Sequence, residues 1–116
     1  MRHRVKGKKL DRKKAPRELM LRNLASSVIM YEKVKTTEAK AKAVRPLVEK
    51  VITTARKGGL TARREIISLL PQKLAVKKAM EVLAARYKER PGGYCRIVKL
   101  ASRQGDGAKV VQLELI

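Results

Sequence analysis

The chain contains no tryptophan and no phenylalanine, and it has only one cysteine and one histidine. A single cysteine cannot form an internal disulfide bond, which favours a reducing compartment, and we expect a cytoplasmic protein. One cysteine and one histidine also cannot supply a metal cluster. His3 lies in a hydrophilic stretch where no rigid scaffold would hold it as a catalytic base. We therefore expect no metal and no cofactor.

Catalytic and membrane signatures are missing as well. The chain has no GxGxxG or GKS/GKT loop, and Cys95 has no second histidine to activate it, so a buried and inert thiol is expected there. The glutamates of the helical part lie near Lys or Arg, which favours solvated ion pairs; they are Glu38, Glu49, Glu65, Glu81 and Glu89. No apolar run approaches a membrane span. We predict a non-enzyme with no small-molecule substrate and no membrane partner.

Positive charge is what the chain has in excess: 30 Lys and Arg face 10 Asp and Glu, for a net charge of +20. Residues 1–17 hold nine of these cations against one acid and almost nothing apolar. Such a segment cannot offset its ordering entropy by burial, so we predict a basic arm, disordered until it meets a polyanion. The whole chain is 44 % hydrophobic, which agrees with a folded part, and residues 18–116 are predicted to form one body. Nucleic acid is the expected partner.

Two helices are indicated early in the body. Ala15-Pro16 separates arm from body, since proline disfavours helical geometry in the residue before it, and the first helix then runs to about Tyr31. Its apolar stripe is Leu21, Leu24, Ala25 and Val28, with Arg22 and Ser26 on another side. Thr36 or Thr37 caps the second helix, whose stripe is Val44, Leu47, Val48, Val51, Ile52 and Ala55. Pro46 is expected to bend that helix, and Gly58-Gly59 to end it.

The remaining elements follow from similar signals. Thr61 is predicted to cap a third helix over residues 62–70, and Pro71 to start a fourth that fades by Arg90. After Pro91-Gly92-Gly93 the period of the apolar residues changes from 3.6 to 2. This change predicts strands over 94–100 and 111–115, joined as an antiparallel hairpin. Residues 32–36 give only a weak signal for a short edge strand. The pattern predicts a two-layer α+β domain.

The mode of nucleic-acid binding follows from the three tyrosines. Tyr87 lies on an apolar stripe and is expected in the core, while the sequence does not decide whether Tyr31 and Tyr94 are buried or exposed. With so little to stack on bases, we expect recognition of phosphates and shape. On the second helix Lys42, Arg45 and Glu49 point away from the stripe and Lys40 flanks them, although an ordinary solvated face fits equally well.

Two other classes of protein fit the composition. An architectural DNA-binding protein is allowed, but no reading helix and no apolar wedge is recognisable. A peripheral membrane protein would need exposed apolar anchors beside its cations, whereas the leucines here are needed for the core.

Several joined motifs carry a family resemblance. MRHRVKGKKL, LMLRNLASS, KVKTTEAKAKAVRPLVEKVITTARKG and ERPGGYCRIVKLASRQGDGAKV occur in this order from Met1 onward. Together they closely resemble the bacterial-type large-subunit ribosomal protein family seventeen.

The resemblance implies a structural protein of the large ribosomal subunit, bound to its RNA near the exit region of the nascent-chain tunnel, among neighbouring large-subunit ribosomal proteins. It implies a helix, a short strand, three helices and a β-hairpin, the three strands forming a small mixed sheet, with no cofactor and no catalysis. Pro16 stands where the family often has histidine, and Tyr31 stands near another common histidine position, so the resemblance does not decide whether these two residues contact RNA. Carried over residue by residue and joined to the basic residues of the arm, the implied RNA-binding residues are Arg2, His3, Arg4, Lys6, Lys8, Lys9, Arg12, Lys13, Lys14, Arg17, Arg22, Lys40, Lys42 and Arg45.

Overall fold

A computed structural model describes residues 14–116 of the chain. Four helices pack on one side of a three-stranded sheet, so the predicted α+β class and element order are confirmed. In chain order the elements are α1 (Lys14–Tyr31), β1 (Lys33–Thr37), α2 (Glu38–Lys57), α3 (Gly59–Leu69), α4 (residues 73–86), β2 (Cys95–Ser102) and β3 (Lys109–Leu115). Most of the predicted arm, and its expected disorder before binding, lies outside the described residues.

The start of α1 differs from the prediction. The helix begins at Lys14 and includes Ala15, which Pro16 was expected to hold out of helical geometry. Proline is tolerated here because the first N–H groups of a helix have no intrahelical partner to lose. Residues 14–17, assigned to the arm from composition, are thus the first turn of the body's first helix.

The buried face of α1 is also wider than predicted. Ala25 and Val28 are buried as expected, and Leu21 and Leu24 pack against the core. Ser26, placed on another side by the sequence pattern, is fully buried together with Ile29. The prediction for Ser26 was wrong because the buried face of α1 extends over adjacent positions, Ala25 with Ser26 and Val28 with Ile29, and so is wider than the apolar stripe.

Helix α2 is the centre of the body. It runs as one helix through Pro46, and its predicted stripe is buried apart from Leu47, which is half-buried. Thr37 precedes it as predicted but forms no side-chain capping bond. Gly58 has a φ of 69° and ends the helix, as the sequence indicated.

The next two helices begin at other residues than expected. Helix α3 already starts at Gly59, so Thr61 lies inside it and does not cap it. Helix α4 starts at Lys73 after Gln72, and not at Pro71. It is α-helical over Lys73–Lys78, π-helical over Ala79–Leu83 and α-helical again over Ala84–Arg86.

The sheet confirms the weak strand at β1 but corrects its arrangement. The strand order is β1-β3-β2, and both pairings are antiparallel, so the sheet is not mixed. The hairpin places β3 in the centre, and β1 joins its free edge in the same direction as β2 without touching β2. Val34 and Ile97 both lie opposite Leu113, which fixes the register of the core face.

Two tyrosines close the core where the hairpin meets the helices. Tyr87 is buried as predicted, and Tyr94, left open by the sequence, is fully buried. Their ring centroids lie 5.2 Å apart. The Tyr87 hydroxyl donates to the Ile116 carbonyl at 2.7 Å, and the Tyr94 hydroxyl accepts from Arg56 at 2.9 Å. These bonds satisfy the polar ends of two large buried rings.

Candidate nucleic-acid interface

The structure describes six of the fourteen RNA-binding residues implied by the resemblance. Lys14, Arg17 and Arg22 lie on α1, and Lys40, Lys42 and Arg45 on α2. The other eight lie outside the described residues: Arg2, His3, Arg4, Lys6, Lys8, Lys9, Arg12 and Lys13.

The three cations of α1 are accessible. Lys14 and Arg22 are exposed and Arg17 is half-buried. Within residues 14–116 none of them forms an ion pair. Tyr31, at the far end of the same helix, is 69 % exposed, so its ring is available to a partner.

On α2, two of the predicted cations are paired along the helix. The Lys42 ammonium lies 2.8 Å from the Glu38 carboxylate, and the Arg45 guanidinium donates to Glu49 at 3.0 Å. The hydrogen bond from Lys42 is the main reason that the pKa of Glu38 is lowered. Both pairs have the i,i+4 spacing, which confirms the expected ion pairs for these two glutamates. Glu65, Glu81 and Glu89, by contrast, form no ion pair within the described part of the chain.

Lys40 lies apart from Lys42 and Arg45. Residues two positions apart in an α-helix differ by about 200° around the helix axis, so Lys40 and Lys42 lie on opposite flanks of the apolar stripe. Lys42 and Arg45 border a shallow depression with Pro46 and Glu49. Lys40 borders a different cleft, beside Lys35 of β1. The predicted basic face of α2 is therefore two separate basic flanks.

The described body carries more positive charge than its own carboxylates neutralise. Residues 14–116 contain 23 Lys and Arg, and six of them take part in ion pairs. The remaining 17 have no carboxylate partner among the described residues. Like charges at this density repel one another, and a polyanion relieves that repulsion.

Glu32 marks a site that sequence reasoning missed. It connects α1 to β1 with a φ of 65°, a left-handed conformation that is unfavourable by about 1–2 kcal/mol for a residue other than glycine. Its carboxylate accepts from Lys78 at 2.9 Å and from Arg86 of the same helix α4. Bonds from Arg86 and then Lys78 lower the pKa of Glu32 to about 2. Lys78 also donates to the Met30 carbonyl at 3.0 Å. We call Glu32, Lys78 and Arg86 together the Glu32 junction.

The π-helical segment explains how two residues eight apart reach one carboxylate. In a regular α-helix, residues eight apart are about 80° out of line, whereas residues seven apart nearly coincide. A π turn inserts one extra residue, which brings Lys78 and Arg86 to the same side of α4. The junction spans 46 and 54 positions of sequence, so no local pattern could have indicated it.

The cysteine thiol is buried, and the described residues offer no metal site. Cys95 is 3 % exposed, and burial raises the pKa of its thiol to about 12, which agrees with the predicted inert thiol. Among residues 14–116 no three His, Cys, Asp or Glu side chains are placed to hold a metal ion. In the same part of the chain, no helix is both long and apolar enough to cross a membrane.

Comparison with known proteins agrees with the resemblance. The family profile described as Ribosomal protein L17 matches residues 20–116. The whole chain is 47 % identical to the large ribosomal subunit protein bL17 of Rickettsia typhi, of which it covers 85 %. It is 50 % identical to the bL17 of Orientia tsutsugamushi, covering 80 % of that protein, and 48 % identical to that of a Hydrogenobaculum species, covering 99 %. The chain therefore belongs to the ribosomal protein L17 family.

Proposed function

We propose that this protein binds large-subunit ribosomal RNA through its basic N-terminal arm and the basic faces of α1 and α2, near the exit region of the nascent-chain tunnel. Family membership makes it a structural constituent of the large ribosomal subunit in the cytoplasm, and not an enzyme. Ribosomal RNA and neighbouring large-subunit ribosomal proteins are its partners in this proposal.

The unpaired charge carries the proposal. In the described body 17 Lys and Arg have no carboxylate partner, and the first 13 residues add seven more cations against one acid. Phosphates are the densest source of negative charge such a surface can meet. Arginine and lysine contacts to phosphate fix the position of a protein on RNA without reading its sequence, which suits a chain with three tyrosines as its only aromatic residues.

Truncation of the arm tests this function directly. The cut should remove residues 1–13 and leave residues 14–17, because α1 begins at Lys14. Seven Lys and Arg are lost, and each neutralised phosphate contributes about 0.7–0.9 to the slope of log affinity against log salt. We expect the slope for in vitro transcribed large-subunit RNA to fall by about 5–6, with the helical circular dichroism unchanged.

The control is a full-length chain whose seven arm cations are replaced by glutamine. It keeps the length of the arm and should lose as much of the slope as the truncation does. An affinity that neither variant changes would refute the role of the arm. An excess of duplex DNA that competes as well as ribosomal RNA would favour an architectural DNA-binding protein instead.

The location near the tunnel exit has its own test. Electron cryo-microscopy of large subunits reconstituted with this chain should show its body on the outer surface, beside the opening of the tunnel. Density for the body on the face that meets the small subunit would contradict the proposed location.

A further inference from the structure

A cleft lies where β1 runs directly into α2 and the β2–β3 hairpin approaches the same corner of the sheet. It is assembled from three parts of the chain and is open to solvent. Its lining residues are Lys35, Thr36, Thr37, Lys40, Arg103 and Val110, and we call it the β1 cleft.

The cleft is positively charged and holds no acid among its lining residues. Lys35 is exposed and Lys40 is half-buried, and within residues 14–116 neither forms an ion pair. Arg103 is held by Asp106, to which its Nε donates at 3.1 Å. The cleft therefore keeps two free ammonium groups and one oriented, neutralised guanidinium.

The outer face of the sheet continues this surface. Lys33 and Lys35 are both exposed and point away from the core, because alternate residues of a strand share a face. Glu114 lies opposite Lys33 but forms its ion pair with Arg96, at 2.6 Å, and is bonded to Gln112 at 3.0 Å. These two bonds are the main reason that the pKa of Glu114 is lowered, and the nearby charge of Lys33 adds to them, so Lys33 is partly compensated whereas Lys35 is not. Val98 lies across β3 from Lys35 and is 37 % exposed, so this face has no helix over it.

Lysines on an edge strand have a simpler explanation. A charged edge discourages pairing with the edge of another sheet, and β1 is an edge strand. That explanation accounts for Lys33 and Lys35 on the strand. It does not account for Lys40 and Arg103, which reach the same corner from other elements.

We propose that the β1 cleft and the adjoining lysine on the outer face of β1 form a second phosphate-binding surface, which holds the backbone of ribosomal RNA. The inference rests on the proposed function, which already contains Lys40, and adds Lys33, Lys35 and Thr37 to it. The three lysines supply the charge, and the Thr37 hydroxyl, which makes no capping bond, supplies a further donor.

The test compares two full-length double variants. K33Q/K35Q removes the two strand lysines, whereas K73Q/K77Q removes two exposed lysines of α4, which the proposed function does not include and which also form no ion pair within the described residues. Affinity for in vitro transcribed large-subunit RNA is measured from about 50 to about 200 mM salt. We expect the log–log slope of K33Q/K35Q to fall by about 1.4–1.8 and that of K73Q/K77Q to stay at the wild-type value.

Charge reversal separates the inference from edge protection. Lys35→Glu keeps a charge on the edge strand, so it should leave the protein monomeric in analytical ultracentrifugation, yet it should weaken RNA binding more than Lys35→Gln. Equal binding by these two variants, or equal slopes for the two double variants, would overturn the inference. If the RNA affinity of the wild-type chain did not depend on salt, the proposed function itself would be overturned instead.

Discussion

The Glu32 junction and the β1 cleft use the same kinds of cation for different purposes. At the junction Lys78 and Arg86 share one carboxylate and tie α4 to the turn between α1 and β1. In the cleft Lys35 and Lys40 have no acidic partner among the described residues, although they lie only a few residues beyond that turn. The difference is in the partner and not in the cation: a carboxylate of the same chain holds the fold, and an absent carboxylate leaves room for a phosphate.

The junction is expected to give the largest effect on stability. Glu32→Gln leaves Lys78, whose side chain is 22 % exposed, without its charged partner. Hydrogen bonds to charged groups contribute about 1.5–3 kcal/mol each when one partner is removed, so we expect the free energy of unfolding to fall by about 1–3 kcal/mol. Urea unfolding followed by circular dichroism measures it.

The matched control for this variant is Glu38→Gln, which removes a local i,i+4 pair in which the carboxylate has one cationic partner, Lys42, and not two. It should leave the free energy of unfolding close to the wild-type value, because local pairs on a helix surface contribute little. If the two variants destabilised the protein equally, the junction would be no more than another surface ion pair.

Acid should weaken the junction in a defined pH range. The pKa of Glu32 is lowered from 4.5 to about 2 by its bonds to Arg86 and Lys78, so its contribution is present above the unfolded pKa and disappears as pH falls from about 5 to about 2. Solvent reaches about a third of this side chain, so we expect a loss of about 1–2 kcal/mol.

The pH dependence is measured as the difference in unfolding free energy between wild type and Glu32→Gln. That difference should be largest near neutral pH and should shrink toward zero at about pH 2. A difference that stayed constant over this range would mean that the charge of Glu32 contributes nothing to the folded state.

The smallest expected effect is on the other flank of α2. Glu38→Gln with Glu49→Gln releases Lys42 and Arg45 from their carboxylates. The free energy of unfolding should stay close to the wild-type value, since surface pairs contribute little. Affinity for large-subunit RNA should rise by about three- to tenfold, because two more cations can meet phosphates and two anions no longer repel them. Fluorescence anisotropy with labelled RNA measures it; an unchanged or weaker affinity would show that this flank does not face RNA.

Sequence periodicity predicted the parts of the fold that local contacts decide. The stripe from Val44 to Ala55 reports burial directly, because residues three and four apart share a helix face. The ends of helices were less predictable: both Gly58 and Gly59 have positive φ, yet Gly59 already begins α3, which left no capping role for Thr61. Ser26 was misplaced because the apolar stripe showed only part of the buried face of α1, which also covers this small polar residue.

The site was predictable in composition but not in arrangement. Counting charges indicated a polyanion partner, and the i,i+4 spacing indicated the pairs of Lys42 and Arg45. The junction and the β1 cleft both join residues that are far apart in the chain, so only the folded structure shows which cations have carboxylate partners. Lys78 and Lys40 are indistinguishable in the sequence and have opposite environments in the structure.

One pair of variants tests that distinction most directly, with Lys78→Gln and Lys40→Gln each measured for urea unfolding and for the salt dependence of RNA binding. Lys78→Gln should lower the free energy of unfolding by about 1–2 kcal/mol and leave the salt slope unchanged. Lys40→Gln should lower the slope by about 0.7–0.9 and leave the unfolding free energy unchanged. If both variants altered both measurements alike, paired and unpaired cations would not have separate roles in this protein.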